Sequence, residues 1–164
     1  MRIATWNINS IRLRIDNVIS FIKKNSIDVL CLQETKTEDA FFPLNQFIKR
    51  GFAHSNIRGQ KGYNGVAILS RFPFLEKKNL KLCKKNDARH VSVKFKNNIC
   101  IHNFYVPAGG DVPDTKTNSK FKYKLEFLVE MKNYFKKAQK QKRILVGILI
   151  LPQERMTYGL IINF

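Results

Sequence analysis

Acidic residues, cysteines and long apolar runs are all scarce in this sequence, and each shortage narrows what the chain can be. Only 12 Asp and Glu stand against 30 Lys and Arg, a formal charge of +18. That balance suits a polyanionic partner, because each phosphate neutralised by Lys or Arg releases counterions. An A/T-rich genome yields the same drift, since Lys outnumbers Arg 21 to 9. Charge therefore supports nucleic acid without establishing it. The three cysteines (Cys31, Cys83 and Cys100) are an odd number without C-x-x-C spacing, which gives no disulfide framework. Cys31 and Cys100 fall inside strand-like runs and read as buried, reduced thiols. No basic-then-apolar leader opens the sequence, and the longest apolar run, 144–151, is far short of the ~20 residues a membrane helix needs. A cytoplasmic location without a membrane partner is the expectation. Lysine is missing altogether from residues 143–164, although 21 occur before them.

What is present fits one globular domain: 164 residues, 44% of them hydrophobic and 12% aromatic. No internal repeat and no linker mark a second domain. An amphipathic helix is expected from a cap at Asn9 or Ser10 to about Asn25, with Ile11, Ile15, Val18, Ile19 and Ile22 on one face. A short helix from Leu44 to Arg50 is closed by Gly51. Gly59, Gly62 and Gly65 punctuate a turn before a strand from Val66 to Ser70; their spacing matches no phosphate-binding loop. The charged segment from Leu75 to Lys85 reads as an exposed hairpin arm or loop. Strands are expected over Arg89–Phe95 and Ile99–Val106. His90 and His102 lie within them and read as structural. A long functional loop, Pro107 to Ser119, leads to a helix capped by Asn118 or Ser119 and running to about Gln141. Its apolar face is expected at Phe121, Leu125, Leu128, Met131 and Phe135, with most of the lysines on a solvated face.

Two stretches carry the chemistry. Ile27 to Leu32, apolar throughout except for Asp28, suits a strand covered on both faces, and it delivers Gln33, Glu34, Thr35 and Lys36 at its C-terminal end. Open α/β sheets place their ligands there. Taken alone, Glu34 reads as well as a helix-start or surface carboxylate. The second stretch, Arg2 to Asn9, has the same layout and ends in side-chain amides.

Trp6-Asn7-Ile8-Asn9-Ser10-Ile11-Arg12 and Leu32-Gln33-Glu34-Thr35-Lys36 resemble the exonuclease III family of magnesium-dependent DNA-repair nucleases. That family lies within the endonuclease/exonuclease/phosphatase superfamily. The likeness continues through residues 59–70 and Asn103-Phe104-Tyr105-Val106-Pro107, in order, to about residue 147. It implies the N-terminal part of a four-layer α/β sandwich, two mixed sheets flanked by helices, left incomplete. It implies 3′→5′ exonuclease and abasic-site endonuclease chemistry on double-stranded DNA, with no obligate protein partner. Glu34 is then a ligand for magnesium, or manganese in its place. Asn7 and Tyr105 are the active-site amide and phenol, and Lys36 and Arg89 add positive charge near a DNA phosphate. A phosphatase acting on small phosphoesters is the competing superfamily reading, and Gln60-Lys61-Gly62 and Tyr105-Val106-Pro107 favour the DNA enzymes.

The likeness breaks after Arg143-Ile144-Leu145-Val146-Gly147. The family continues Gly-Asp-x-Asn, its Asp being the water-activating base; here Ile148 and Ile150 occupy the Asp and Asn positions. Isoleucine neither accepts a proton nor binds a metal, and loss of a general base costs ~10²–10⁴ in rate. A later metal-binding Asp and a Ser-Asp-His segment are also expected and not found. The chain thus divides into a family-like part, 1–147, and a divergent tail, 148–164. A frameshift accounts for both the tail and its missing lysines: with suitable codons, 156–161 read in a neighbouring frame as Asn-Asp-Val-Trp-Ser-His. The expectation is a truncated nuclease with little or no activity, incompletely covered and poorly soluble, or else a non-catalytic nucleic-acid-binding remnant.

Overall fold

The computed structural model describes residues 1–137, 142–149 and 159–163. The chain opens with β1 (Arg2–Asn7), α1 (Ile11–Asn25) and β2 (Val29–Gln33). β1 and β2 run parallel, with Ile3 opposite Val29 and Asn7 opposite Gln33. Parallel neighbours need a crossover, and α1 supplies it, burying Ile11, Val18, Ile19 and Ile22 as the periodicity requires. The expected cap is absent: neither Asn9 nor Ser10 caps the helix, since both have left-handed backbones (φ 45 and 87) and Ser10 makes no side-chain cap bond. The helix start is tied down instead by backbone amides, Ser10 to the Glu34 carbonyl at 2.7 Å and Ile11 to the Thr35 carbonyl at 3.1 Å.

After α2 (Leu44–Ile48), shorter than its sequence pattern, come β3 (His54–Arg58) and β4 (Val66–Ser70). With β9 (Gly159–Asn163) they complete a five-stranded mixed sheet of order β3-β4-β2-β1-β9. β9 lies in the segment read as a divergent tail, and pairs antiparallel along the edge of β1. β9 thus covers that edge. β5 (Glu76–Lys78), β6 (His90–Lys94), β7 (Ile99–Tyr105) and β8 (Lys142–Ile148) form a second mixed sheet in the order β5-β6-β7-β8, with β7 and β8 parallel.

The two sheets enclose one apolar layer of Ile3, Val29, Cys31, Val66, Ile68, Val91, Val93, Phe95, Ile101 and Val146. Burial pushes the Cys31 thiol far above its ordinary range. Alternate residues of β2 point the other way, Leu30 and Leu32 packing with α1 and with Phe47 and Phe52. Outside the second sheet lies α3 (Ser119–Lys137), capped by Asn118, whose Oδ1 accepts from the Lys120 and Phe121 amides at 3.0 and 3.2 Å. The expected continuation to Gln141 lies outside the described residues. The result is the four-layer arrangement, helices outside two facing sheets.

One sequence expectation fails here. Leu125 is exposed, and Phe127, buried with Phe104, Val106 and Leu82, anchors α3 in its place. The Leu75–Lys85 segment is largely exposed, as expected, and also contributes an edge strand paired antiparallel to β6 and an apolar anchor at Leu82. Lys120, Lys122, Lys132 and Lys136 are solvated, whereas Lys124 is only 6% exposed, its ammonium donating to the Ala108 carbonyl at 3.3 Å. Among the described residues, no helix is long and apolar enough to cross a membrane.

Candidate active site at the strand ends

β1 and β2 remain zipped together beyond their last paired residues. The Ile8 amide donates to the Gln33 carbonyl at 3.0 Å, while Thr35 and Lys36 donate to the carbonyls of Gly65 and Asn64 at 3.1 and 3.0 Å. These bonds hold Glu34 and Lys36 with left-handed backbones, φ 53 and 50. Such a conformation costs a non-glycine residue on the order of 1 kcal/mol. Gly65, at φ +90, allows the approach, because a Cβ there would collide with the Thr35 hydroxyl.

The constraint aims Glu34 at side chains from two other strands and at Lys36 of its own segment. Asn7 donates its amide to Glu34 Oε1 at 2.7 Å, and the Lys36 ammonium lies 3.0 Å from Oε2. Lys36 also donates to Asn9 Oδ1. Tyr105, at the end of β7, hydrogen-bonds Glu34 from the facing sheet. Burial pushes the Glu34 carboxyl up, but the bonds from Asn7, Lys36 and Tyr105 and the Lys36 charge outweigh it, leaving the pKa below the ordinary carboxylate value. The Tyr105 phenol is pushed up to about 12, first by burial and then by the Glu34 charge and hydrogen bond. At neutral pH the pair is thus an ionised carboxylate and a protonated phenol.

Arg89 completes the cluster. Its guanidinium carbon lies 4.8 Å from the centre of the Tyr105 ring, and Nη1 donates to the Tyr105 carbonyl at 3.2 Å. Asp87 fixes it from behind, 3.4 Å from Nε, and Asp87 in turn accepts from the Tyr123 hydroxyl at 3.0 Å. All five residues singled out from sequence (Asn7, Glu34, Lys36, Arg89 and Tyr105) come together. Asp87 and Tyr123 gave no sequence signal: one sits in an unpatterned loop, the other reads as one more aromatic of a helix.

Glu34 is the one carboxylate at the centre of this cluster. Among the described residues, no group of three His, Cys, Asp or Glu could bind a metal by protein ligands alone. Magnesium uses one or two carboxylates and completes its shell with water and substrate phosphate. An ionised, half-buried Glu34 meets that lower limit. The end of β8 carries no second carboxylate among the described residues: β8 pairs with β7 so that Ile148 stands opposite Tyr105. Ile150 lies outside the described residues.

Comparison with known proteins agrees with this architecture. The Endonuclease/Exonuclease/phosphatase family matches residues 4–146. An AP endonuclease from Archaeoglobus fulgidus superposes with a TM-score of 0.80 at 35% identity, over 90% of this chain and 56% of its own. The 3′–5′ exonuclease NExo from Neisseria meningitidis gives 0.79 at 29%, over 90% and 57%. Exodeoxyribonuclease III of Haemophilus influenzae is 38% identical over 71 residues, 43% of this chain and 26% of that protein. The chain thus spans little more than half the length of these solved relatives, and its match spans about a quarter of the curated one. With the fold, the strand-end cluster and a match over residues 4–146 in agreement, the chain belongs to the Endonuclease/Exonuclease/phosphatase family.

Proposed function

We propose that this chain is an exonuclease III-type DNA nuclease, acting on abasic sites and 3′ ends of double-stranded DNA, whose hydrolytic step is severely impaired. Residues 1–147 are the nuclease-like portion in this reading, and 148–164 the divergent tail. The observation that carries it is the opposition of Tyr105 and Ile148 in the β7–β8 pair. The strand bearing the phenol is intact, while its neighbour presents a hydrocarbon where a proton acceptor belongs. Glu34 would hold magnesium, which supplies compensation for the charge that develops on phosphate oxygens. The chain's own residues account for the rest. Asn7 orients the carboxylate, and the Tyr105 phenol, held protonated, turns its one hydrogen bond from Glu34 to a non-bridging oxygen when phosphate binds. Arg89 and Lys36 lie at the same strand ends as fixed positive charge. Nothing at position 148 takes the proton from an attacking water.

The test is cleavage of a duplex containing one abasic-site analogue, with magnesium, by the chain and by Ile148→Asp and Ile148→Asp/Ile150→Asn. The chain is expected to cleave at a rate near background. The substituted forms are expected to gain up to the ~10²–10⁴ that a general base supplies. Efficient cleavage by the natural chain, unaltered by Ile148→Asp, would overturn the proposal. A second reading, non-catalytic nucleic-acid binding, draws on the +18 charge. It predicts salt-sensitive duplex binding that Glu34→Gln leaves intact.

A further inference from the structure

Between the apolar layer and the Glu34–Tyr105 cluster lies a buried polar contact that none of the chemistry above uses. Asn103 is fully buried in β7, two residues before Tyr105, and so shares its inward face. Its Nδ2 donates to two backbone carbonyls of the opposite sheet, Leu32 at 2.9 Å and Ala67 at 3.0 Å. Leu32 and Ala67 are direct partners in the β2–β4 ladder, so this one amide reaches both strands from across the sandwich. Its Oδ1 accepts from Gln33 Nε2 at 2.7 Å, and Gln33 immediately precedes Glu34. The same oxygen lies 3.0 Å from where a Cβ on Gly147 would be, next to Ile148.

We infer that Asn103 is a positioning residue: its side-chain amide sets the spacing between the strand end carrying Glu34 and the one carrying Tyr105. Three features distinguish this from routine satisfaction of a buried polar group. Both amide donors are spent on the opposite sheet, whereas a buried Asn is satisfied more simply by its own strand or a neighbouring turn. The contacts fall one residue from Glu34 and two from Tyr105, where a displacement of a few tenths of an ångström reaches the site undiminished. Most of the inter-sheet layer is apolar and non-directional, so it resists separation but does not fix register. A comparable bridge, Asn56 Nδ2 to the Ser92 and Lys78 carbonyls at 2.9 and 3.4 Å, lies on the edge strand β3. Asn103 supplies the directional element beside Glu34 and Tyr105.

The inference rests on the reading of Glu34 and Tyr105 as one site, and its test separates the two. The variants are Asn103→Leu, which keeps the bulk and removes both donors, and Asn103→Ser, which keeps one donor in case the first fails to fold. Glu34 is followed by carbon-detected NMR of its carboxyl, assigned by its disappearance in Glu34→Gln, and Mn²⁺ binding by line broadening at Glu34. Withdrawal of the Tyr105 donor is expected to raise the Glu34 titration midpoint in both variants. It is expected to weaken Mn²⁺ binding by about tenfold, as loss of a residue supporting a metal ligand does. A lower melting temperature with Glu34 titration unchanged in a folded variant would overturn the positioning role. If the natural chain shows no Mn²⁺ effect but the Glu34 midpoint still moves, positioning stands and the metal-site reading fails.

Discussion

Tyr105 and Ile148 face each other at the end of the parallel β7–β8 pair, where the Val106 amide donates to the Ile148 carbonyl at 3.1 Å. A carboxylate placed at 148 would stand beside the phenol and near the Arg89 charge. Ile148 is only partly buried, so Ile148→Asp forfeits some apolar contact without stranding a charge in the core. The expected outcome is a loss of about 1 kcal/mol in stability, read by urea denaturation, together with the appearance of cleavage. Gain of activity at a cost in stability is the signature of a repaired site.

Asp87 has two donors, Arg89 Nε and the Tyr123 hydroxyl. Tyr123→Phe removes one of them and is expected to cost about 1 kcal/mol, the net worth of one such bond. Because both partners meet at one carboxylate, Asp87→Ala and Tyr123→Phe should not add. A double-mutant cycle on urea midpoints should give a coupling of at least ~0.5 kcal/mol. Additive losses would mean that the three groups do not act as a unit.

Parallel apolar runs ending in polar residues made the site legible in the sequence. Apolar runs, that of β2 buried on both faces, place Glu34 and Asn7 at strand ends, and the β1–α1–β2 crossover follows from helical periodicity. What escaped is long-range. Nothing local shows that Asn103 bonds Gln33 and the opposite strands, because those partners lie 36 to 71 residues away. Phe127 and Leu125 are equally apolar, and which one faces the sheet depends on where Leu82 and Phe104 are. Ser10 looks like a cap, but the backbone of the neighbouring strand takes that role first. β9 was hidden because a strand that pairs with the edge of β1 needs no more sequence signal than five extended residues.

His90 and His102 form a buried pair, Nε2 to Nδ1 at 3.1 Å, and the Leu80 amide donates to His90 Nδ1 at 3.0 Å. With Nδ1 accepting, the neutral His90 carries its proton on Nε2 and donates it to His102. Burial drives the His90 pKa well below 6.5, helped by the charges of His102 and Arg58. Burial, then Arg143 and Lys78, lowers His102 to about 4. Both are depressed in the folded state, so the unfolded chain binds protons first. Stability is complete above pH ~6.5 and is expected to fall as pH drops through that value towards about 4. Melting temperatures across that window should decline less steeply in His102→Gln. An unchanged slope would place the acid sensitivity elsewhere.

Two glycines with left-handed backbones make a controlled comparison. Around Gly62 (φ +76) nothing lies within 4 Å of the place an added Cβ would take, whereas a Cβ on Gly147 (φ +111) would strike the Phe104 carbonyl oxygen. Gly62→Ala therefore incurs only conformational strain, on the order of 1 kcal/mol. Gly147→Ala adds a clash with backbone that β7 cannot relieve without breaking its pairing to β8. The expected loss is at least ~3 kcal/mol, the sum of strain and overpacking. Hydrogen exchange should then show β8 amides opening while those of β1 and β2 stay protected. Equal losses at the two positions would mean that β8 is held too loosely against β7 to transmit the clash. Tyr105 and residue 148 would then lack the fixed relationship on which a repaired site depends.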